Sequence, residues 1–376
     1  MAHRVLFLTL KVFGFTGGIE KVCRTICRSL YDLSQDELVT PAVHCMYDKN
    51  FNRDSRYLRK QQYVAFDGNR KYFVIKSLLK GMQSDVVLLS HINLLSIGYL
   101  IKRFSPKTKV YLIAHGIEIW RKLPETKLKA LNRLDKIFAV SHYTKEKIKS
   151  EHKIADNKIE VLNNCLDPFY YFPNDFSKPK PLLKRYNLTI DNTVLISLSR
   201  LSSTEKYKGY DNVIKILPKL VEKDPNIVFL LAGKADDEEQ ARLEKLIAEY
   251  KIGKHIKLIG FVDEAEISDH FLLSDIFVMP SKKEGFGIVF IEAMASGLKV
   301  VAGNKDGSVD ALNNGKLGKL VDPDNLNEVE QVLSELLAQP SGDIEKLTLQ
   351  KNVYEVFNYE KYREHLKNII LNGSTC

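Results

Sequence analysis

An α/β fold of two domains, each built on a mainly parallel sheet, is what this chain predicts, and three observations carry that expectation. The first is length, because 376 residues exceed what one hydrophobic core usually serves. The second is alternation. Short apolar runs such as Val194–Leu198 and Ile276–Met279 have the length and continuity of strands buried on both faces, and stretches with helical spacing lie between them. The third is PFYYFPNDFSKPKP, residues 168–181, which is rich in proline and aromatics and lacks periodicity. It reads as a linker, placing a first domain at 1–173 and a second at 174–357.

Residues 4–10 read as the first strand. A loop containing Gly14, Gly17 and Gly18 follows and opens a helix whose apolar positions Ile19, Val22, Cys23, Ile26 and Leu30 keep helical spacing. The loop is too long for the tight turn of a dinucleotide fingerprint, which argues against a dehydrogenase. Strands are then expected at 39–45, 85–89, 109–114, 136–140 and 159–162, with helices at 71–82, 94–104, 123–135 and 143–151. The second series places strands at 194–198, 227–231, 256–259, 276–279, 299–301 and 319–321. Residues 359–372 read as a terminal amphipathic helix with Tyr362, Leu366, Ile369 and Ile370 on one face.

Open parallel sheets bind ligands beyond the carboxyl ends of their strands. Residues just past each expected strand are therefore site candidates: Gly17, Gly18, His91 and His115 in the first half, and Arg200, Gly233, Lys234, Gly260, Phe261 and Glu284 in the second. The densest stretch is SKKEGFGIVFIEAMASGL, residues 281–298. Gly285 and Gly287 let the backbone approach a ligand closely, and the helix that follows offers free N–H groups to an anion. Glu284 stands at the mouth of this cradle and Glu292 about two turns along the helix. A nucleotide sugar, with phosphates in the middle and hydroxyls at both ends, suits that layout. Arg200 and Lys208 can stabilise the charge that grows on a departing diphosphate.

Glu284, Gly285, Phe286, Gly287, Glu292, Ala293, Ala295 and Gly297 fall on a pattern that resembles the E-x7-E signature of retaining glycosyltransferases of family 4, whose GT-B fold sets two Rossmann-like domains across a central cleft. The resemblance implies roles. Glu292 would bind the ribose, Arg200 and Lys208 the pyrophosphate, and His115 with Glu284 the sugar, these last four forming the catalytic set. Gly17, Gly18, Gly260, Phe261, Val262 and the amides from Glu284 to Ile288 would complete the donor site. The segment around Arg200 departs from the family in having Ser199 where glycine is usual. VVAGNKDGSVDAL, residues 300–312, occupies the place of the family's G-G-x-x-E element and suggests no role. The resemblance further implies front-face attack without an enzyme nucleophile, and a terminal helix, 358–376, that crosses back to the first domain.

Cofactor and metal are expected to be absent: Asp322-Pro-Asp324 matches a metal-holding D-x-D, but turn or helix-cap chemistry explains it better. Five cysteines at irregular spacing exclude a disulfide framework. The first 15 residues, with an apolar run broken by Lys11, suit neither a signal peptide nor a membrane span, so a cytoplasmic protein is expected. Residues 1–173 carry 29 Lys and Arg against 16 Asp and Glu, whereas the remainder carries 27 against 31. No nucleic-acid motif accompanies the basic half, and an anionic membrane surface is the expected partner. The functional expectation is a metal-independent transferase moving a hexose from a nucleotide sugar, UDP-sugar before GDP-mannose, to a glycan or lipid-linked acceptor. Alternatives are an epimerase or phosphorylase of similar fold and a non-catalytic nucleotide-sugar-binding module.

Overall fold

The computed structural model describes residues Ala2–Thr375, which form two compact units: residues 2–169 with 357–375, and Tyr170–Val356. The division falls inside the proline- and aromatic-rich stretch, at Phe169/Tyr170.

Unit 1 runs β1 (His3–Thr9), α1 (Gly18–Gln35), β2 (Val39–Cys45), β3 (Tyr63–Ala65), α2 (Arg70–Met82), β4 (Val86–Leu89), α3 (Leu95–Phe104), β5 (Lys109–Ala114), α4 (Ile117–Trp120), α5 (Glu125–Arg133), β6 (Lys136–Ala139), α6 (His142–His152) and β7 (Ile159–Val161). Its strands are parallel, in the order β3-β2-β1-β4-β5-β6-β7. The central strands are apolar on both faces because helices cover both; Leu6, Phe7, Leu8, Val87, Leu88 and Leu112 are fully buried. Helix α5 begins at Glu125 rather than at Leu123, since Pro124 at its N-cap is extended, with ψ 150°.

Unit 2 runs α7 (Lys180–Arg185), β8 (Thr193–Leu198), α8 (Tyr210–Lys223), β9 (Ile227–Ala232), α9 (Asp237–Glu249), β10 (Ile256–Gly260), α10 (Ile267–Leu273), β11 (Ile276–Met279), α11 (Ile288–Ala295), β12 (Lys299–Gly303), α12 (Ser308–Ala311), β13 (Lys319–Val321), α13 (Leu326–Leu337) and α14 (Asp343–Phe357). The order is β10-β9-β8-β11-β12-β13, again parallel throughout. Each sheet thus has one point where the strand order reverses, between β1 and β4 in unit 1 and between β8 and β11 in unit 2. Crevices at such points are where doubly wound sheets receive ligands.

The terminal helix α15 (Tyr359–Asn372) belongs to unit 1, where it packs on α1. Tyr362, Leu366, Ile369 and Ile370 form its buried face, and the Tyr359 hydroxyl donates to Asp32 Oδ2 at 2.7 Å. Asn358 caps it, its side chain accepting the Lys361 N–H at 2.9 Å.

Candidate functional site

In unit 2 the two elements on either side of the strand reversal carry the chemistry. After β8 comes a short 3-10 turn, Lys206–Lys208, ending at Gly209. Gly209 has φ +83°, and a Cβ there would sit 2.1 Å from the Pro280 carbonyl oxygen. Only glycine fits, and the close approach holds Lys208 against the segment that follows β11. Lys208 Nζ lies 2.6 Å from Glu284 Oε2, both side chains being largely buried, at 14% and 19% exposure. Burial opposes the Lys208 charge, but Glu284 more than offsets it and holds the ammonium pKa above its ordinary value.

From Glu284 the backbone turns through Gly285, buried Phe286 and Gly287 into α11. Gly287 is the left-handed N-cap of that helix, with φ +86°, and a Cβ there would strike the Phe290 ring at 2.4 Å. No side chain caps α11, so its first N–H groups face whatever lies beyond the strand ends, as an anion site requires. Glu292 lies on α11 and is buried, at 4% exposure. Tyr170 braces the same helix: its hydroxyl donates to the Glu292 carbonyl at 2.6 Å and lies 2.8 Å from the Ser296 hydroxyl. The sequence read Tyr170 only as linker, and no sequence pattern marks a hydroxyl that bonds a backbone carbonyl more than a hundred residues away.

The other expected donor groups of unit 2 are less tightly gathered. Arg200 is exposed and ion-paired with Glu205 at 2.6 Å, outside the Lys208–Glu284 pair. Gly260 ends β10 with φ +71°, followed by exposed Phe261 and buried Val262. Strand β9 separates β10 from β8. Ile288 is buried at the start of α11. Asp322 and Asp324 are both ion-paired to Lys305, and Asp324 also to Lys282, so their carboxylates are held by cations of the chain itself.

Unit 1 places its candidates around its own strand reversal. Gly17 is the N-cap of α1 and Gly18 its first residue, following β1. The loop before them is held by buried Asp48, whose Oδ2 accepts the N–H groups of Val12 at 3.1 Å and Phe13 at 2.7 Å. His91 follows β4, and its Nδ1 accepts the Asn93 N–H at 3.0 Å. His115 follows β5, buried, with Nε2 2.9 Å from the Ser90 carbonyl oxygen. That contact fixes the proton on Nε2, and Nδ1 has no hydrogen-bond partner among the described residues. Burial pushes the imidazole down to about 4, so at neutral pH His115 is an uncharged ring presenting an acceptor nitrogen. Glu118, two residues past Gly116, accepts the His115 N–H at 2.6 Å, and burial raises its carboxyl.

Two family descriptions match the chain: Glycosyltransferase Family 4 over residues 16–168 and Glycosyl transferases group 1 over residues 183–356. A GDP-mannose-dependent alpha-(1-6)-phosphatidylinositol monomannoside mannosyltransferase of Mycobacterium tuberculosis is 30% identical over 247 residues, 62% of each chain. Its counterpart in Mycolicibacterium smegmatis is 28% identical over 65% of this chain and 64% of its own. The alignments thus span a little under two thirds of these relatives. An uncharacterized glycosyltransferase of Haemophilus influenzae is 25% identical over 95% of this chain and 97% of its own. Among solved structures, Anabaena HepE in complex with UDP and glucose superposes with a TM-score of 0.77 at 19% identity, covering 98% of this chain and 99% of that one. Sucrose-phosphate synthase from Thermosynechococcus elongatus gives 0.75 at 17%, covering 98% of each.

Proposed function

The chain belongs to the family 4 glycosyltransferases of GT-B fold, and from that premise we propose that it is a retaining hexosyltransferase taking its sugar from a nucleotide diphosphate sugar. The observation that carries this reading is the buried Lys208–Glu284 pair at the strand reversal of unit 2, with the N-terminus of α11 and Glu292 beside it.

Lys208 neutralises the diphosphate as the glycosidic bond breaks, and the free N–H groups of α11 hold phosphate oxygens. Glu292 accepts hydrogen bonds from the ribose hydroxyls. Glu284 orients a sugar hydroxyl, and the ion pair with Lys208 holds its side chain in place for that task. In unit 1, Nδ1 of neutral His115 is an acceptor for a hydroxyl of the sugar, and the loop at Gly17 and Gly18 offers backbone N–H groups to phosphate or acceptor. Arg200, on an exposed and mobile-length side chain, reaches the diphosphate by leaving Glu205. The leaving phosphate takes the acceptor proton, and no divalent metal is required. That view is supported by Asp322 and Asp324 being ion-paired to Lys282 and Lys305.

GDP-mannose is the donor favoured by the mannosyltransferase relatives, and UDP-hexoses are the second class. A thermal-shift panel of GDP-, UDP- and ADP-sugars tests the reading, because a ligand that binds the native state raises the midpoint. The donor should shift it and the other bases should not. No shift with any nucleotide sugar would remove the proposed activity.

The acceptor is proposed to be lipid-linked, with unit 1 docking on an anionic membrane. Among the described residues no helix is long and apolar enough to cross a membrane. Helix α2, however, exposes Tyr72, Ile75 and Leu79 at one-turn spacing, with Arg70, Lys71, Lys76 and Lys80 exposed beside them. On α5 and the segment before it the cations lie around Leu123, which is buried, and Leu128, which is half-buried. Charge without an apolar stripe makes α5 the weaker candidate. Vesicle sedimentation should show binding that needs anionic lipid, falls with salt, and weakens by about 1 kcal/mol for each of Lys71, Lys76 and Lys80 changed to Gln. A protein that stays in the supernatant with anionic vesicles at low salt would point to a soluble acceptor.

A further inference from the structure

Asp306 stands in unit 2 between β12 and α12, in the segment to which the sequence assigned no role. It is buried at 1% exposure. Its Oδ2 accepts the Ser281 hydroxyl at 2.6 Å and the Glu284 backbone N–H at 2.7 Å, and its Oδ1 accepts the Ser308 N–H at 2.9 Å. The next residue completes the clamp, since the Gly307 N–H donates to the Glu284 carbonyl at 2.8 Å. Both backbone polar groups of Glu284 are therefore held by consecutive residues, 306 and 307, and the side chain of Glu284 is left to Lys208.

We propose that Asp306 is a positioning residue for the Glu284 loop, whose ionised carboxylate sets that loop in its donor-binding geometry and whose protonation releases it. This rests on the reading that residues 284–288 bind the nucleotide sugar. An ionised carboxylate is an acceptor only, and here three donors converge on it. Oδ2 accepts from both the Ser281 hydroxyl and the Glu284 N–H; a proton on it makes it a donor that the hydroxyl can turn to accept but the N–H cannot, so the bond to the Glu284 backbone is the one weakened. The Glu284 N–H lies on the loop between β11 and α11, whereas Ser308 opens α12, so it is the Glu284 loop that moves.

Burial pushes the Asp306 carboxyl up to about 6, against the Ser281 and Ser308 hydrogen bonds that hold it down and with the help of the Glu284 charge. The charges around it are Glu284, backed by Lys208; Lys305, committed to Asp322 and Asp324; and Asp310 on α12. The folded pKa lies above the ordinary 3.8. Between those two values the folded chain holds more protons than the unfolded one, so this group's contribution to stability falls as pH rises. Donor affinity does the opposite and rises with pH through the same group, a divergence that a merely structural carboxylate would not produce.

Calorimetric titration with GDP-mannose and with UDP-glucose from pH 5 to 8 tests this, since the pyrophosphate diester of either probe does not titrate there. Affinity for the sugar that binds should fall about tenfold at one pH unit below the Asp306 pKa, because only the ionised fraction is competent. Asp306→Asn should bind more weakly at pH 7.5 and lose the pH dependence. Ser281→Ala, which removes a hydrogen bond that holds the pKa down, should move the midpoint to higher pH, and it serves if Asp306→Asn does not fold. A flat wild-type profile, an Asp306→Asn profile parallel to wild type, or an unmoved midpoint in Ser281→Ala would each overturn the role of Asp306. Absence of binding by the wild type at pH 7.5 would instead overturn the donor-site reading on which it rests.

Discussion

Replacing Lys208 with alanine is expected to lower kcat by about 10²–10³-fold, the usual cost of removing one preorganised group from a site of developing negative charge. The effect falls on turnover because the diphosphate charge grows as the sugar–phosphate bond breaks, so Lys208 is worth more in the transition state than in the bound ground state. The buried setting of the ammonium, 14% exposed and 2.6 Å from Glu284, strengthens that interaction relative to one in water. Single-turnover rates at saturating donor separate the two contributions. A variant with an unchanged rate and only a raised KM would make Lys208 a ground-state binding group. Arg200→Ala should cost less, because Arg200 is exposed and paired with Glu205.

Glu292→Ala is expected to weaken binding of the free nucleoside diphosphate by about 1–3 kcal/mol, roughly five- to 150-fold in Kd. The lost contacts are hydrogen bonds to a buried carboxylate, and the ligand hydroxyls they served are left facing an apolar helix. The fold should tolerate the change, since alanine is the strongest helix former and α11 is otherwise almost wholly apolar. Calorimetry on a variant whose unfolding midpoint is preserved gives the answer. Undiminished affinity would take the ribose contact away from Glu292.

The parallel sheets were legible because a strand covered on both faces is written as a continuous apolar run, as in β8 and β11, and because the glycines and charged residues follow the strand ends. Strand β3 was not legible. It has three residues, and Val64 in its middle is exposed, so neither length nor pattern separates it from a loop. Helix α14 was missed for a related reason: Ile344, Leu347, Tyr354 and Val356 are exposed, which blurs the periodicity. At the site, Glu284 could be found because it follows a strand at the point where ligands bind, and Lys208 and Glu292, further along the loop after β8 and on α11, through the resemblance of their segments to the family's motifs. Arg200 has the same signature, yet its partner is the nearby Glu205, a local ion pair that position after a strand does not reveal. Asp306 was invisible as a site residue, since its principal partners are a hydroxyl and a backbone N–H more than twenty residues earlier, and a carboxylate aimed at a backbone amide leaves no pattern in sequence.

The most direct test of the central claim follows the anomeric carbon. The protein is incubated in chelator with the donor that shifts its midpoint, and the released nucleoside diphosphate and the configuration of the transferred or hydrolysed sugar are read by NMR before mutarotation. Release of the diphosphate with the α configuration kept, undiminished by chelator and slowed about 10²–10³-fold in Lys208→Ala, is the predicted result. A β product, dependence on added Mg²⁺, or no release from any nucleotide sugar would contradict the proposal that this chain is a metal-independent retaining transferase.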